Sequence, residues 1–175
     1  MKILMVGFSK TGNTYMFMDY LKQFNNSIEE YRYNIRDYVD IDVSAYDLII
    51  VGTNTWGDGK IPSNCKEFII RNATRYNKKW LVFGTGNSIF LNFCGAVDGI
   101  CKILNDTNNQ VLATLKYEQR FNKEEINKKD IDNFINFIKT PWRVFSCMLY
   151  YIYTNKGGKL EVRKKRQRYR AVESH

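Results

Sequence analysis

The stretch Met1-Lys-Ile-Leu-Met-Val-Gly-Phe-Ser-Lys-Thr-Gly-Asn-Thr14 decides how the rest of the chain is read. Lys2 to Val6 have the length and apolarity of a fully buried strand, and Thr14 to Phe24 put Phe17, Leu21 and Phe24 at helical spacing. Between them lies a loop of Ser, Thr and Gly that opens the helix. The first turn of a helix has unpaired N–H groups and the positive end of the dipole, so such a loop is a candidate anion site. The spacing Gly7-x-x-x-x-Gly12-Asn13-Thr14 comes close to the triphosphate-binding loop, but Asn13 stands where that loop has its Lys. A neutral amide cannot offset the charge of a triphosphate and its metal, whereas it suits a single phosphate monoester. The alternative is an ordinary polar turn between strand and helix.

Working outward, the chain alternates between the two hydrophobic periods. Tyr31 to Ile35 is a short strand candidate, and Tyr46-Asp-Leu-Ile-Ile-Val-Gly52 reads as a buried strand. Pro62 suits the first residue of a helix whose inner face is Cys65, Phe68 and Ile69. Lys79 to Gly84 is another buried strand, and Phe93 to Leu104 an amphipathic helix with Phe93, Ala96, Val97, Ile100, Cys101 and Leu104 on one side. Gln110 to Tyr117 makes a fifth strand, and Glu124 to Lys139 a last helix with Ile131, Phe134, Ile135 and Ile138 inward. Five strands alternating with helices predict an α/β fold, a parallel sheet covered on both faces.

Composition narrows the chemistry. At 175 residues, 44% apolar and 15% aromatic, the chain is one ordinary globular domain with a real core. Cys65, Cys94, Cys101 and Cys147 form no zinc spacing and read as reduced thiols of a cytoplasmic protein. The one histidine is His175, the last residue, which leaves histidine-based catalysis and metal ligation without material. The run from Ile3 to Phe8 is too short for a signal peptide. Charge is unevenly placed: after residue 140 there are nine Lys or Arg and two Glu, a net of +7, which leaves +2 of the total +9 for the body before it.

In a parallel sheet of this kind ligands sit beyond the carboxyl ends of the strands. The loops 8–13, 53–61 and 85–92 are therefore expected on one rim, and they are the oddest in the body. Trp56 and Phe90 each stand among Gly and small polar residues. A pair of aromatics beside a monophosphate site can sandwich a flat ring. The alternative folds both onto the core.

Three motifs, taken together, resemble the flavodoxin family over about residues 1–140. Ser9-Lys-Thr-Gly-Asn-Thr14 is similar to its FMN phosphate loop, Thr55-Trp-Gly-Asp58 to its first flavin loop, and Phe83-Gly-Thr-Gly-Asn-Ser88 with Phe93-Cys-Gly-Ala-Val-Asp98 to its second. The resemblance implies a flavodoxin-like three-layer sandwich with a five-stranded parallel sheet in the order 2-1-3-4-5, in the short-chain form. It implies noncovalent FMN, with Ser9, Lys10, Thr11, Gly12, Asn13 and Thr14 on the phosphate side. Thr55, Trp56, Gly57, Asp58 and Gly59 would lie on one side of the ring, and Thr85, Gly86, Asn87, Phe90, Asn92, Phe93 and Cys94 on the other. In the family, the peptide after the loop glycine, here Gly57-Asp58, turns toward the half-reduced flavin; Gly57 can take φ > 0 at little steric cost.

The implied function is one-electron transfer between redox partner proteins, a flavodoxin reductase and an acceptor, with no metal and no acid, base or nucleophile. Asn87 stands where the family usually has Asp, Phe90 replaces the usual Tyr, and the body is near neutral where flavodoxins are acidic. Gly84-Thr-Gly-Asn87, Asn92-Phe-Cys-Gly95 and Gly59 also resemble the flavodoxin-like activator of manganese-dependent ribonucleotide reductase. A flavin-free binding module is the third function class. Residues 141–175 have no family counterpart: Val144 to Thr154 is apolar and aromatic, too short to span a membrane, and Arg163 to Arg170 is basic. A hairpin turning at Asn155 to Gly158 and packing Leu160 and Val162 on the body is expected, and the basic run is either a solvated end or an arm that contacts an anionic surface.

Overall fold

The computed structural model describes residues 1–34 and 36–139. Their elements, in chain order, are β1 (Ile3–Phe8), α1 (Asn13–Lys22), β2 (Glu29–Tyr33), β3 (Leu48–Asn54), α2 (Ser63–Ala73), β4 (Lys79–Gly86), α3 (Gly95–Asp106), β5 (Gln110–Glu118) and α4 (Lys128–Lys139). The strands form one parallel sheet in the order β2-β1-β3-β4-β5, as expected. β1 is buried along its whole length between β2 and β3, pairing Leu4 with Glu29 on one side and Ile49 on the other.

Side chains alternate across a strand, so each strand feeds two faces. Leu4, Val6, Phe8, Ile49, Val51, Trp80 and Val82 pack with Cys65, Phe68 and Ile69 of α2 and Val97, Ile100 and Leu104 of α3. On the other face an aromatic cluster forms: Phe17 of α1 lies 4.9 Å from Phe83, 5.7 Å from Tyr117 and 5.6 Å from Phe134 of α4. Gly7 and Gly52 are needed here, because a Cβ at either would collide with Met18 or with the Phe83 ring. Helices therefore cover both faces, and the three layers are complete within residues 1–139.

Some boundaries differ from those expected, each for a local reason. Pro62 is extended (φ −53°, ψ 141°) and stands one residue before α2; its carbonyl accepts the N–H of Lys66, which makes it the cap and not the first helical residue. The last helix begins at Lys128, not Glu124, because the Asn127 side chain accepts the N–H of Lys129 and caps it there. Tyr46 and Asp47 precede β3, with Asp47 exchanging bonds with Lys2, and pairing runs on to Asn54. The β2 ladder ends at Tyr33, two residues short of the expected end. In the β4–β5 pairing the register slips between Trp80 and Leu81 of β4, so that Leu112 of β5 is an extra residue. No helix of the described residues is long and apolar enough to cross a membrane, and no cluster of three metal-ligating residues occurs among them. The expected hairpin at 155–158 and the rest of the extension lie outside the described residues.

Candidate cofactor-binding site

The carboxyl ends of β1, β3, β4 and β5 surround a cavity of about 220 Å³. It is lined by Thr11 and Asn13 from the first loop and by Asn54, Thr55 and Gly57 from the second. Thr85, Gly86, Asn87, Phe90, Asn92 and Cys94 line it from the third, and Gln119 from the end of β5. The three loops singled out in the sequence thus share one rim.

The first loop is built by its own polar groups. The Ser9 hydroxyl accepts the N–H of Gly12 at 3.0 Å, and Gly12 takes φ +84°, a left-handed conformation that lets the chain turn into α1. Thr14, buried, donates its hydroxyl to the Phe8 carbonyl at 3.3 Å. Tyr15 braces the loop by donating to the carbonyl of Tyr33 at 2.9 Å. Ser9 and Thr14 therefore shape the loop from beneath, while Thr11 and Asn13 face the cavity and Lys10 is exposed. The α1 N-terminus lies at this loop with no acidic residue in its first turn, which keeps it suited to an anion.

The second loop is a tight hairpin. Trp56 and Lys60 exchange backbone hydrogen bonds of 2.9 and 2.7 Å around a turn of Gly57 (φ +47°), Asp58 and Gly59 (φ +82°). Its base is tied to β4 by the N–H of Thr55 on the Thr85 carbonyl at 3.0 Å. Trp56 is 44% exposed, so its ring is not folded onto the core.

The third loop is held by backbone bonds that leave its apolar tip outside. Asn87 accepts the N–H of Ile89 with its side chain and the N–H of Phe90 with its carbonyl. From β5, the Glu118 carboxylate accepts the N–H of Ser88 at 3.0 Å, and the N–H of Gln119 donates to Gly86 at 2.8 Å. Phe90 is 57% exposed. Cys94 takes φ 50° and closes against Gly86, where a Cβ would lie 2.8 Å from the Cys94 nitrogen. Burial pushes the Cys94 thiol up to about 11, so it stays protonated and unreactive near neutral pH.

Not every residue singled out lines the cavity. Trp56, Asp58 and Gly59 form the rest of the hairpin, and Phe93 turns to a second cavity of about 270 Å³ beside β5, whose lining carries charges of both signs, such as Lys116, Arg120, Glu125 and Asp130. Two lining residues were missed. Asn54 ends β3 just before the motif, and Gln119 follows β5; the rule that every strand of a parallel sheet ends at the ligand rim applies to β5 as much as to β4.

The lining fits a polar ligand. Among the described residues two buried side-chain atoms have no hydrogen-bond partner, Asn54 Oδ1 and Thr55 Oγ1, and both residues line this cavity. Buried polar groups are otherwise nearly always paired, so this pair is matched by a ligand that brings the missing partners.

Comparison with known proteins bears on the same residues. The flavodoxin family profile matches residues 8–133. A probable flavodoxin 2 of Bacillus subtilis is 32% identical over 139 residues, covering 76% of this chain and 91% of that protein. The flavodoxin of Maridesulfovibrio salexigens is 36% identical over 109 residues, covering 57% and 73%. Among solved structures, oxidised flavodoxin 1 of Bacillus cereus superposes with a TM-score of 0.67 at 27% identity, over 81% of this chain and 99% of that one. Fusobacterium nucleatum flavodoxin bound to flavin mononucleotide has a TM-score of 0.57 at 17% identity, over 79% and 98%, which shows the shared fold.

Proposed function

The chain belongs to the flavodoxin family, and from that premise we propose that it is an FMN-dependent one-electron carrier whose cofactor occupies the cavity between the three loops. The observation that carries this reading is the pair of unpartnered buried atoms, Asn54 Oδ1 and Thr55 Oγ1, between loops that hold two exposed aromatic rings. FMN, when bound, supplies the electron acceptor and donor, taking up electrons one at a time.

The chain's own residues bind, shield and tune. The N-terminus of α1 with Thr11 and Asn13 would hold the phosphate, and the lack of a cation among them suits a monoester. Trp56 and Phe90 supply apolar surface that excludes water. Asn54, Thr55 and Gln119 bring hydrogen-bonding groups to the cavity wall, and the close approach of Cys94 to Gly86 fixes the third loop. Gly57, with nothing within 4 Å of where a Cβ would be, leaves open space on the cavity side of the hairpin. Charge at the rim is mixed, Asp58 and Glu118 against Lys60 and Arg120, so the protein biases the reduced cofactor less than a uniformly acidic rim would.

Electrons would pass between a reductase and an acceptor protein. Delivery to a manganese-dependent ribonucleotide reductase is the second reading; it is favoured by Gly84-Thr-Gly-Asn87 and by the left-handed Gly59, and is separated by whether the reduced protein reacts with O₂ in the presence of that enzyme. Titration of the full-length apoprotein with FMN, followed by flavin fluorescence, tests the main reading. Binding at equimolar ratio, weakened by Thr11→Val more for FMN than for riboflavin, is expected; equal weakening of both would remove the phosphate assignment.

A further inference from the structure

We propose that Asn92 is a positioning residue: by donating to Asp58 it clamps the 56–60 hairpin to the third loop and so sets the gap between the two aromatic walls of the cavity. The proposal rests on the FMN reading above for its effect on the cofactor, but the clamp itself is a property of the chain.

The hairpin is seated on one side and open on the other. At its far side, a Cβ on Gly59 would lie 2.8 Å from the Asn92 Cβ, and one on Gly95 would lie 2.8 Å from the Gly59 Cα. At its near side Gly57 lines the cavity, and a Cβ built on it would meet nothing within 4 Å. A turn with both glycines at positive φ has little conformational resistance of its own. Among the described residues, one side-chain hydrogen bond joins its tip to the third loop: Asn92 Nδ2 donates to Asp58 Oδ1 at 2.7 Å. Trp56 stands two residues from one end of this tie and Phe90 two residues from the other. Without the bond, the Gly59–Gly95 contact still prevents the hairpin from moving inward, but nothing of this strength keeps it from swinging outward.

An amide-to-carboxylate bond has a donor end and an acceptor end, so the partners can be exchanged. FMN affinity of the full-length protein would be measured for Asn92→Ala, Asn92→Asp, and the exchange Asn92→Asp with Asp58→Asn. Hydrogen–deuterium exchange of the Lys60 amide, which closes the hairpin, would be measured on the same apoproteins with no flavin present. Asn92→Ala is expected to weaken FMN by up to about tenfold, the upper scale of one charge-assisted bond at an exposed site. Asn92→Asp, which sets two carboxylates against each other, should weaken it more and speed Lys60 exchange. The exchanged pair should return both readouts to within about threefold of the starting protein, which a residue that merely fills space would not do. If the exchanged pair behaves like Asn92→Asp alone, or if Asn92→Ala changes neither readout, the clamp is overturned. Should the unaltered protein fail to bind FMN, the cofactor reading fails while Lys60 exchange still decides the clamp.

Discussion

Replacing Thr55 by Val is expected to move apoprotein stability and cofactor affinity in opposite directions. Thr55 Oγ1 is buried beside the cavity with no partner. Valine keeps the shape and the preference for extended backbone, and removes only the hydroxyl. A buried hydroxyl left unsatisfied costs about 1–3 kcal/mol, and since Thr55 is only half-buried as a residue the lower end applies. The apoprotein should therefore gain about 1 kcal/mol. With a urea slope of about 1–3 kcal/mol per molar, its unfolding midpoint should rise by roughly 0.3–1 M, followed by far-ultraviolet circular dichroism. FMN binding should weaken by about tenfold, because the hydroxyl that the ligand would pair is gone, a loss of about 1.4 kcal/mol. A substitution that merely damaged the fold would lower both quantities. If the apoprotein loses stability, or gains it with no change in FMN affinity, then the hydroxyl is not held in reserve for the ligand and the argument from unpartnered atoms is wrong.

Asn109→Ala should cost about 3 kcal/mol in urea unfolding and leave FMN affinity unchanged, because its side chain satisfies the Trp80 indole, the Lys78 N–H and the Ala73 carbonyl at the end of the sheet away from the cavity. Asn87→Asp should preserve the turn, since a carboxylate also accepts the Ile89 N–H, and lower the second one-electron potential by roughly 50–100 mV in a spectroelectrochemical titration, for a charge at an effective dielectric of about 20–40; a rise would contradict the electrostatics. Burial raises the Cys94 and Cys101 thiols from 9.0 to about 11, so the folded state holds those protons more tightly; their contribution is intact below about pH 9 and is lost as pH rises toward 11, and Cys101→Ala should flatten the fall in stability seen over that window. The full-length protein should bind vesicles rich in anionic lipid at low salt and release them at high salt, and exchanging Arg166 and Arg168 for Glu should abolish this without changing FMN affinity; no binding even at low salt would leave the basic extension without this role.

How far the sequence carried the fold depended on burial. β1, β3 and β4 are buried on both faces, so each appears as an apolar run that no helix of that length produces, and order and direction follow once helices alternate with them. β2 is an edge strand with the sequence Glu-Glu-Tyr-Arg-Tyr, largely exposed, and its position slipped by two residues because alternation is weak where neither face is fully covered. Helix ends were set by single side chains such as Asn127, which periodicity does not see. In the site, the three motif loops were legible because glycines and aromatics are unusual together. The division of labour inside them was not. What the Ser9 and Thr14 hydroxyls bind within the loop depends on geometry that spacing leaves open: Ser9 accepts the Gly12 N–H and Thr14 donates to the Phe8 carbonyl.

The distribution of polar satisfaction separates the two ends of the sheet more sharply than the motifs do. Away from the cavity, buried amides are fully engaged: Asn72 binds Val43, Ile41 and Phe68, and Asn109 binds five groups, on Ala73 of α2, on Lys78 just before β4, on Trp80 of β4 and on Thr107 of its own turn. These side chains rigidify the frame, since an unpaired partner in such a setting would be destabilising. At the rim the rule reverses within two residues of one strand end, Asn54 and Thr55, whose backbone is still anchored by the Thr55–Thr85 bond. A chain able to satisfy its buried polar side chains elsewhere has no packing reason to leave an amide oxygen and a hydroxyl open here. Their desolvation would be offset by a ligand with complementary polar groups. The frame and the site are thus built from the same residue types, and what distinguishes them is whether the partner belongs to the chain.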